Sequence, residues 1–229
     1  MKIIDASGPI YEGMWSYGDP FPDFKLVDVK EPDWVEGFHP KSNAFEGFSM
    51  LTGTYIDGPA HSFGIEKSYP MSDIPIEKLF GIDAFIYKFD LSELKKEGKR
   101  PVVTLEAVKK AEKNITGNIS ERSVLVLATG WGSHWAKKDF LTDAWFLEKD
   151  AVEYLVNKKP FAIALDSAYI DCLEKERGNW EIIYGNDICL AAPLVNLDKL
   201  TKTRSKIYIC PLNILNTTGL PCRVIFTEE

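Results

Sequence analysis

The residues of this chain best suited to chemistry lie in one short stretch, residues 51–61 (LTGTYIDGPAH). Gly53, Gly58 and Pro59 force a tight turn region there, and Asp57 and His61 project from it four positions apart. On an irregular segment, a carboxylate and an imidazole at that spacing can converge on one cavity. The acid can then orient the ring or raise its basicity, which is the pairing general acid–base catalysis uses. The same residues also have a plain structural use. An Asp in a Gly/Pro turn often bonds backbone amides, and a lone His is often a satisfied loop residue.

Few other residues offer comparable chemistry. The 229 residues include only three histidines, His39, His61 and His134, so a metal site must rely mostly on carboxylates and a histidine-rich one is excluded. Cys172, Cys189, Cys210 and Cys222 form no C-x-x-C pair, which favours buried free thiols over disulfides or a zinc knot. The 27 Lys and Arg against 34 Asp and Glu give a net charge of −7, wrong for a phosphate-backbone binder, so no nucleic-acid partner is expected. No apolar run nears the ~20 residues of a membrane span. The start, MKIIDASGPI, has neither a basic head nor an apolar signal core, so no membrane partner is expected and the cytoplasm is the expected compartment.

The elements that must position Asp57 and His61 read as a mixed α/β chain. Residues 1–80 are rich in Gly, Pro and aromatics and read as strands and ordered loops, with strands at 2–5 and roughly 47–55. Beyond them, strands are expected at 84–89, 124–128 (VLVLA), 161–165 (FAIAL), 207–210 and 223–226; the continuous apolar runs mark strands covered on both faces. Helices are expected at 104–113, with Thr104 as N-cap, and at 150–157. The charged stretches 93–100 and 198–206 read as solvated surface, and the sequons at Asn114, Asn118 and Asn216 carry no assigned role. Without a linker or a repeat, residues 1–229 form a single domain.

The stretch 51–61 resembles the signature of the metal-dependent cyclase family, which includes kynurenine formamidases and isatin hydrolases. The family pattern is H-x-G-T-H-x-D-x-P-x-H, and Gly53, Thr54, Asp57, Pro59 and His61 stand in register with it. The likeness continues along most of the chain. DASGPI at 5–10 and Tyr17-Gly18-Asp19-Pro20 resemble D-x-S-x-P-I and Y-P-G-D-P. Thr129-Gly130-Trp131 with Trp135 resembles T-G-W-x-x-x-W. Asp166 and Asp171 sit where G-x-D-x-x-S-x-D falls, with Tyr169 replacing the Ser. LVNLDKL at 194–200, Pro211-Leu212 and Gly219–Arg223 match the closing elements. The resemblance implies an α/β fold of the cyclase type, with a central β-sheet or flattened barrel flanked by helices. It also implies a homodimer or homotetramer, for which the aromatic N-terminal portion (Trp15, Tyr17, Phe21, Phe24, Trp34) would serve as a docking arm or as a cover over the core.

The family's chemistry, as the resemblance implies it, uses two metal ions, commonly zinc or manganese, to activate water and polarise a carbonyl. Here the first two motif ligands fall on Leu51 and Tyr55, and a later His and Glu fall on Trp180 and Ala192. Leu, Trp and Ala cannot ligate, and a neutral Tyr is a poor ligand. Asp57, the bridging carboxylate, and His61, the proton-transfer imidazole, are what remains. No cofactor is expected; zinc or manganese enters only if Glu176, Glu181, Asp187 or His39 supplies relocated ligands. Leu51, Tyr55 and Trp180, with Tyr17 near the family's aromatic substrate position, would line a small-molecule pocket; filling a vacated hole would select the same residues. Three readings stand. The first is a hydrolase of kynurenine formamidase type, acting on C–N bonds of an amide or lactam, or on a lactone, with Asp57 orienting His61 and no standard metal pair. The second is a non-catalytic small-molecule-binding homologue or inactive partner subunit. The third is a conventional metal enzyme with relocated ligands.

Overall fold

The computed structural model describes residues 1–30, 32, 34, 37 and 41–229; His39 lies outside the described residues. The strands are β1 (Lys2–Asp5), β2 (Lys25–Val29), β3 (Ser42–Glu46), β4 (Tyr55–Asp57), β5 (Phe80–Lys88), β6 (Lys95–Glu97), β7 (Arg100–Val103), β8 (Val124–Ala128), β9 (Phe146–Leu147), β10 (Ala162–Leu165), β11 (Cys189–Ala192), β12 (Arg204–Pro211) and β13 (Gly219–Glu228). The helices are α1 (Ala60–Phe63), α2 (Leu105–Glu112), α3 (Lys149–Val156) and α4 (Asn179–Gly185). The main sheet runs β1-β13-β12-β5-β8-β10-β11-β4, and a further β13–β4 pairing closes seven of these strands into a barrel. Closure depends on the length of β13. Its first residues, Gly219–Pro221, pair with β4 and its last, Ile225–Glu228, with β1, while β12 runs along its other edge.

Side-chain alternation separates two apolar layers. Small and β-branched residues from every strand of the ring, among them Ile56, Ala84, Ile86, Val126, Ala164, Ala191, Ile207 and Val224, form one buried cluster to which α1–α4 contribute nothing among the described residues, so it fills the barrel interior. Their neighbours Phe85, Tyr87, Leu125, Leu127, Ile163, Leu165 and Leu190 face outward under α2, α3 and α4 and build a second core. Strands β5, β8, β10 and β11 are parallel and follow one another through these helices, which accounts for the continuous VLVLA and AIAL runs. Thr104 caps α2 as expected, its hydroxyl accepting from the Ala107 amide.

Three sequence expectations change. The strand expected at 47–55 is broken, because Gly47 and Gly53 both take positive φ (65° and 74°) and turn the chain between β3 and β4. The charged stretch 93–100 contributes the β6–β7 hairpin and ends on a buried Arg100, whose guanidinium donates to Ala144 O and Glu174. The stretch 198–206 includes the first residues of β12. All four cysteines are free, with Cys172 and Cys189 buried and Cys210 and Cys222 partly so.

Candidate functional site

Strand β4 carries Asp57 to the outer side of the barrel wall. Ile56 points inward with the interior cluster, so Tyr55 and Asp57 point the other way, toward α4. Asp57 lies opposite Leu190 of β11 on one side and Gly219 of β13 on the other. The glycine makes room: a Cβ at 219 would stand 3.0 Å from the Asp57 Cβ and 2.5 Å from Met50. Asp57 is 2% exposed, and one carboxylate oxygen, Oδ1, accepts a hydrogen bond from the Tyr184 hydroxyl at 2.8 Å. Among the described residues no protein group bonds Oδ2. Burial pushes the Asp57 carboxyl up to about 7, with the Tyr184 hydrogen bond pulling in the opposite direction.

His61 follows on α1, a single turn built on Pro59 at its N-cap. The imidazole reaches solvent, yet enough protein surrounds it that burial lowers its pKa below the ordinary value. No hydrogen bond joins it to Asp57, so the expected orientation of His61 by Asp57 is not what the fold builds. Tyr184 stands between them, its hydroxyl on Asp57 and its ring edge-on to His61, with centroids 6.3 Å apart at 80°.

The other residues expected at the site lie around this centre. Tyr55 bonds the Tyr17 hydroxyl at 2.9 Å, and Tyr17 also donates to Ala168 O and packs edge-on against Tyr169. Burial pushes the Tyr55 and Tyr184 phenols well above their usual range, and Tyr17 upward as well. Ala192 faces Tyr55 across the β4–β11 ladder. Trp180 stacks on Tyr184 one helical turn away, at 6.0 Å and 19°. Leu51 is buried and, with Trp15, Tyr17, Phe21 and Phe24, borders a cavity of about 20 Å³. Trp15 Nε1 is buried there without a hydrogen-bond partner among the described residues. Tyr184 and Tyr169 were not among the expected site residues. For Tyr184 the available signal was its i+4 spacing from Trp180 on a helix.

The remaining candidates lie elsewhere. His134 stacks on Trp131 and bonds Asp139. Asp187 accepts from Tyr69, and Glu176 and Glu181 are exposed. Among the described residues no three His, Cys, Asp or Glu side chains come together. The groups around Asp57 are phenols and thiols: Tyr17, Tyr55, Tyr184, Cys189 and Cys222 all feel its charge. Burial holds the Cys189 and Cys222 thiols far above their usual range, so they remain protonated. That donor set does not fit a pair of divalent ions.

The model of the cyclase family, described as "Putative cyclase", matches residues 4–172. The chain belongs to the cyclase family. Its fold matches a structure described as a potential metal-dependent hydrolase with cyclase activity, at 22% identity and TM-score 0.75, covering 100% of this chain and 99% of the other. It also matches an isatin hydrolase bound to the product analogue thioisatinate, at 20% identity and TM-score 0.80, covering 100% and 93%. Isatin hydrolase A from Labrenzia aggregata, bound to benzyl benzoate, matches at 19% identity and TM-score 0.81, covering 98% and 93%. No curated protein matches the sequence. At these identities the solved structures establish the shared fold, and among the described residues of this cyclase-family member no group of His, Cys, Asp and Glu side chains could hold a metal ion. None of its helices is long and apolar enough to cross a membrane among the described residues.

Proposed function

We propose that this chain is a cyclase-family hydrolase that opens an amide, lactam or lactone of a small aromatic metabolite by acid–base chemistry at Asp57 and His61, without the two-metal centre. The observation that carries this reading is the pair of complementary titrating groups flanking Tyr184. Asp57 retains a proton up to about pH 7, with Oδ2 free of protein bonds, while His61 is a neutral base at the same pH. A carboxyl that holds a proton and an imidazole that accepts one are the two partners hydrolysis needs. His61 would take the proton of an attacking water, and Asp57 would give one to the departing nitrogen or oxygen. The unpartnered Trp15 Nε1 beside Tyr17 offers a donor for a substrate acceptor.

A second reading, a binding homologue without turnover, is favoured by the closure of the site. The Tyr17–Tyr55 hydrogen bond spans it and the adjoining cavity has room for little more than one water. One experiment separates the readings: turnover of a panel of aryl formamides, lactams (isatin among them) and aryl lactones, with and without a chelator. Turnover that survives chelation supports the proposal. Activity abolished by chelator and restored by zinc or manganese would return the chain to conventional metal chemistry. Quenching of tryptophan fluorescence by the panel with no turnover would establish the binding homologue.

The same proposal includes a homodimer or homotetramer in the cytoplasm. Among the described residues strands β2 and β3 pair only with each other, and Leu26, Val29 and Phe45 on them are exposed. A lone two-stranded ribbon is marginally stable in water, so a second copy is its expected support. Sedimentation of the purified protein as a monomer at micromolar concentration would remove this part.

A further inference from the structure

We infer that Tyr184 is the positioning residue of this site: its hydroxyl fixes the Asp57 carboxyl through Oδ1 so that Oδ2 alone meets a bound carbonyl or water. The inference rests on the acid–base reading above and assigns the task that reading leaves open, namely what orients a carboxyl that no metal holds. Among the described residues Asp57 receives one protein hydrogen bond, and it comes from Tyr184. A carboxyl with one bonded oxygen has a defined plane and a defined free oxygen, whereas an unbonded one rotates.

The support beneath Tyr184 is built to hold that aim. The loop entering α4 is tied down by Asp171, whose carboxylate accepts from the amides of Cys172, Arg177 and Asn179. Asn179, the first residue of α4, is fully buried and donates through Nδ2 to Leu147 O and Ile170 O. Arg177 and Arg100 pair with Glu97 and Glu174 and lie over the Phe146 ring, at 4.7 and 4.9 Å from its centroid. Trp180 then stacks on Tyr184 from one turn earlier. The residue at a vacated ligand position thus backs the phenol that reaches the carboxylate. The Tyr184 ring also meets His61 edge-on, so a single side chain touches both polar groups of the site. Side chains whose rotamers are locked by packing and by a bonded second layer are the usual requirement for a preorganised site.

A buried Tyr–Asp hydrogen bond could also serve only the fold, and kinetics separate the two roles. The test compares wild type, Tyr184→Phe, Asp57→Asn and the double variant on a substrate taken from the amide, lactam and lactone panel. If Tyr184 acts through Asp57, Tyr184→Phe lowers kcat by about tenfold or more with KM changed by less than about twofold. The double variant is then no slower than Asp57→Asn alone. Effects that multiply, or a change confined to KM, would overturn the inference while leaving the acid–base reading intact. Absence of turnover by wild type would overturn both. Should Tyr184→Phe fail to fold, 3-fluorotyrosine in place of Tyr184 keeps the shape and changes only the phenol's acidity. It should alter kcat by about threefold or more, and an unchanged kcat would overturn the inference.

Discussion

Two aspartates of this protein are equally deep and differently served. Asp166, just past β10, is fully buried, and its carboxylate accepts from the Thr129 amide, the Thr129 hydroxyl, the Gly130 amide and the Trp145 indole. Among the described residues Asp57 accepts from Tyr184 alone. Burial pushes both carboxyls upward; at Asp166 four donors oppose it, and at Asp57 one does. Asp166 is a structural knot that joins the end of β8 to the loop before β9. Asp57 retains an oxygen that no group among the described residues bonds. The number of donors, more than the depth of burial, separates the carboxyl that holds the fold from the one available for chemistry.

The contrast can be broken most directly at Asp166. Asp166→Ala strands four buried donors and should lower the unfolding free energy by about 3–5 kcal/mol in a urea titration. A loss below about 1 kcal/mol would mean that water replaces the carboxylate and that the knot is dispensable. Asp57→Asn should do the reverse: below about pH 4, where the wild-type carboxyl is protonated in both the folded and the unfolded chain, its unfolding free energy should lie within about 1 kcal/mol of wild type, because Tyr184 keeps an acceptor. Any turnover should fall by about 10²–10⁴-fold in a steady-state assay. Equal damage to stability at both positions would erase the distinction.

Smaller effects sharpen it. Trp145→Phe removes one of Asp166's four donors along with some buried volume, and thermal or urea unfolding should register a loss of about 1–3 kcal/mol. The pH dependence of stability should identify Asp57. Its folded pKa of about 7 lies above the ordinary 3.8, so the native state holds a proton that the unfolded state has released between those values. Its contribution is therefore fully present below about pH 4 and lost as pH rises toward 7, with a slope of up to about 1.4 kcal/mol per pH unit. Asp57→Asn should remove that slope. The part due to Asp166 has the same sign, is present in both proteins and cancels in the comparison. The smallest change is Tyr17→Phe, which leaves the buried Tyr55 hydroxyl without its partner and should cost about 1 kcal/mol.

Much of the barrel wall was legible in the sequence, for a definite reason. Strands β8 and β10 are covered on both faces, by the interior cluster and by the helix layer, so every position is apolar and the runs announce themselves. Helix α2 carries a capping Thr and one apolar face, and is read nearly to its ends. The short elements β4, α1 and α4 were not legible as such. Each is only a turn or a few residues long and lies among Gly and Pro, and its form comes from neighbours in the barrel rather than from local propensity. The β6–β7 hairpin was hidden by its charge: Arg100 looks like surface in the sequence, but it is buried because Glu174 and two carbonyls satisfy it.

The sequence by itself determined the chemical inventory of the site. It supplies a carboxylate, Asp57, and an imidazole, His61, together with Leu51, Tyr55, Trp180 and Ala192, none of which is a good metal ligand; residue type alone decides whether a side chain can hold a metal or move a proton. Only the tertiary structure decided what the remaining pair touches. Helix α4 leads directly into β11, β11 pairs with β4, and that pairing lays Tyr184 on Asp57 across 127 residues of chain. Contacts of that range depend on strand order and register, which no local pattern of residues encodes.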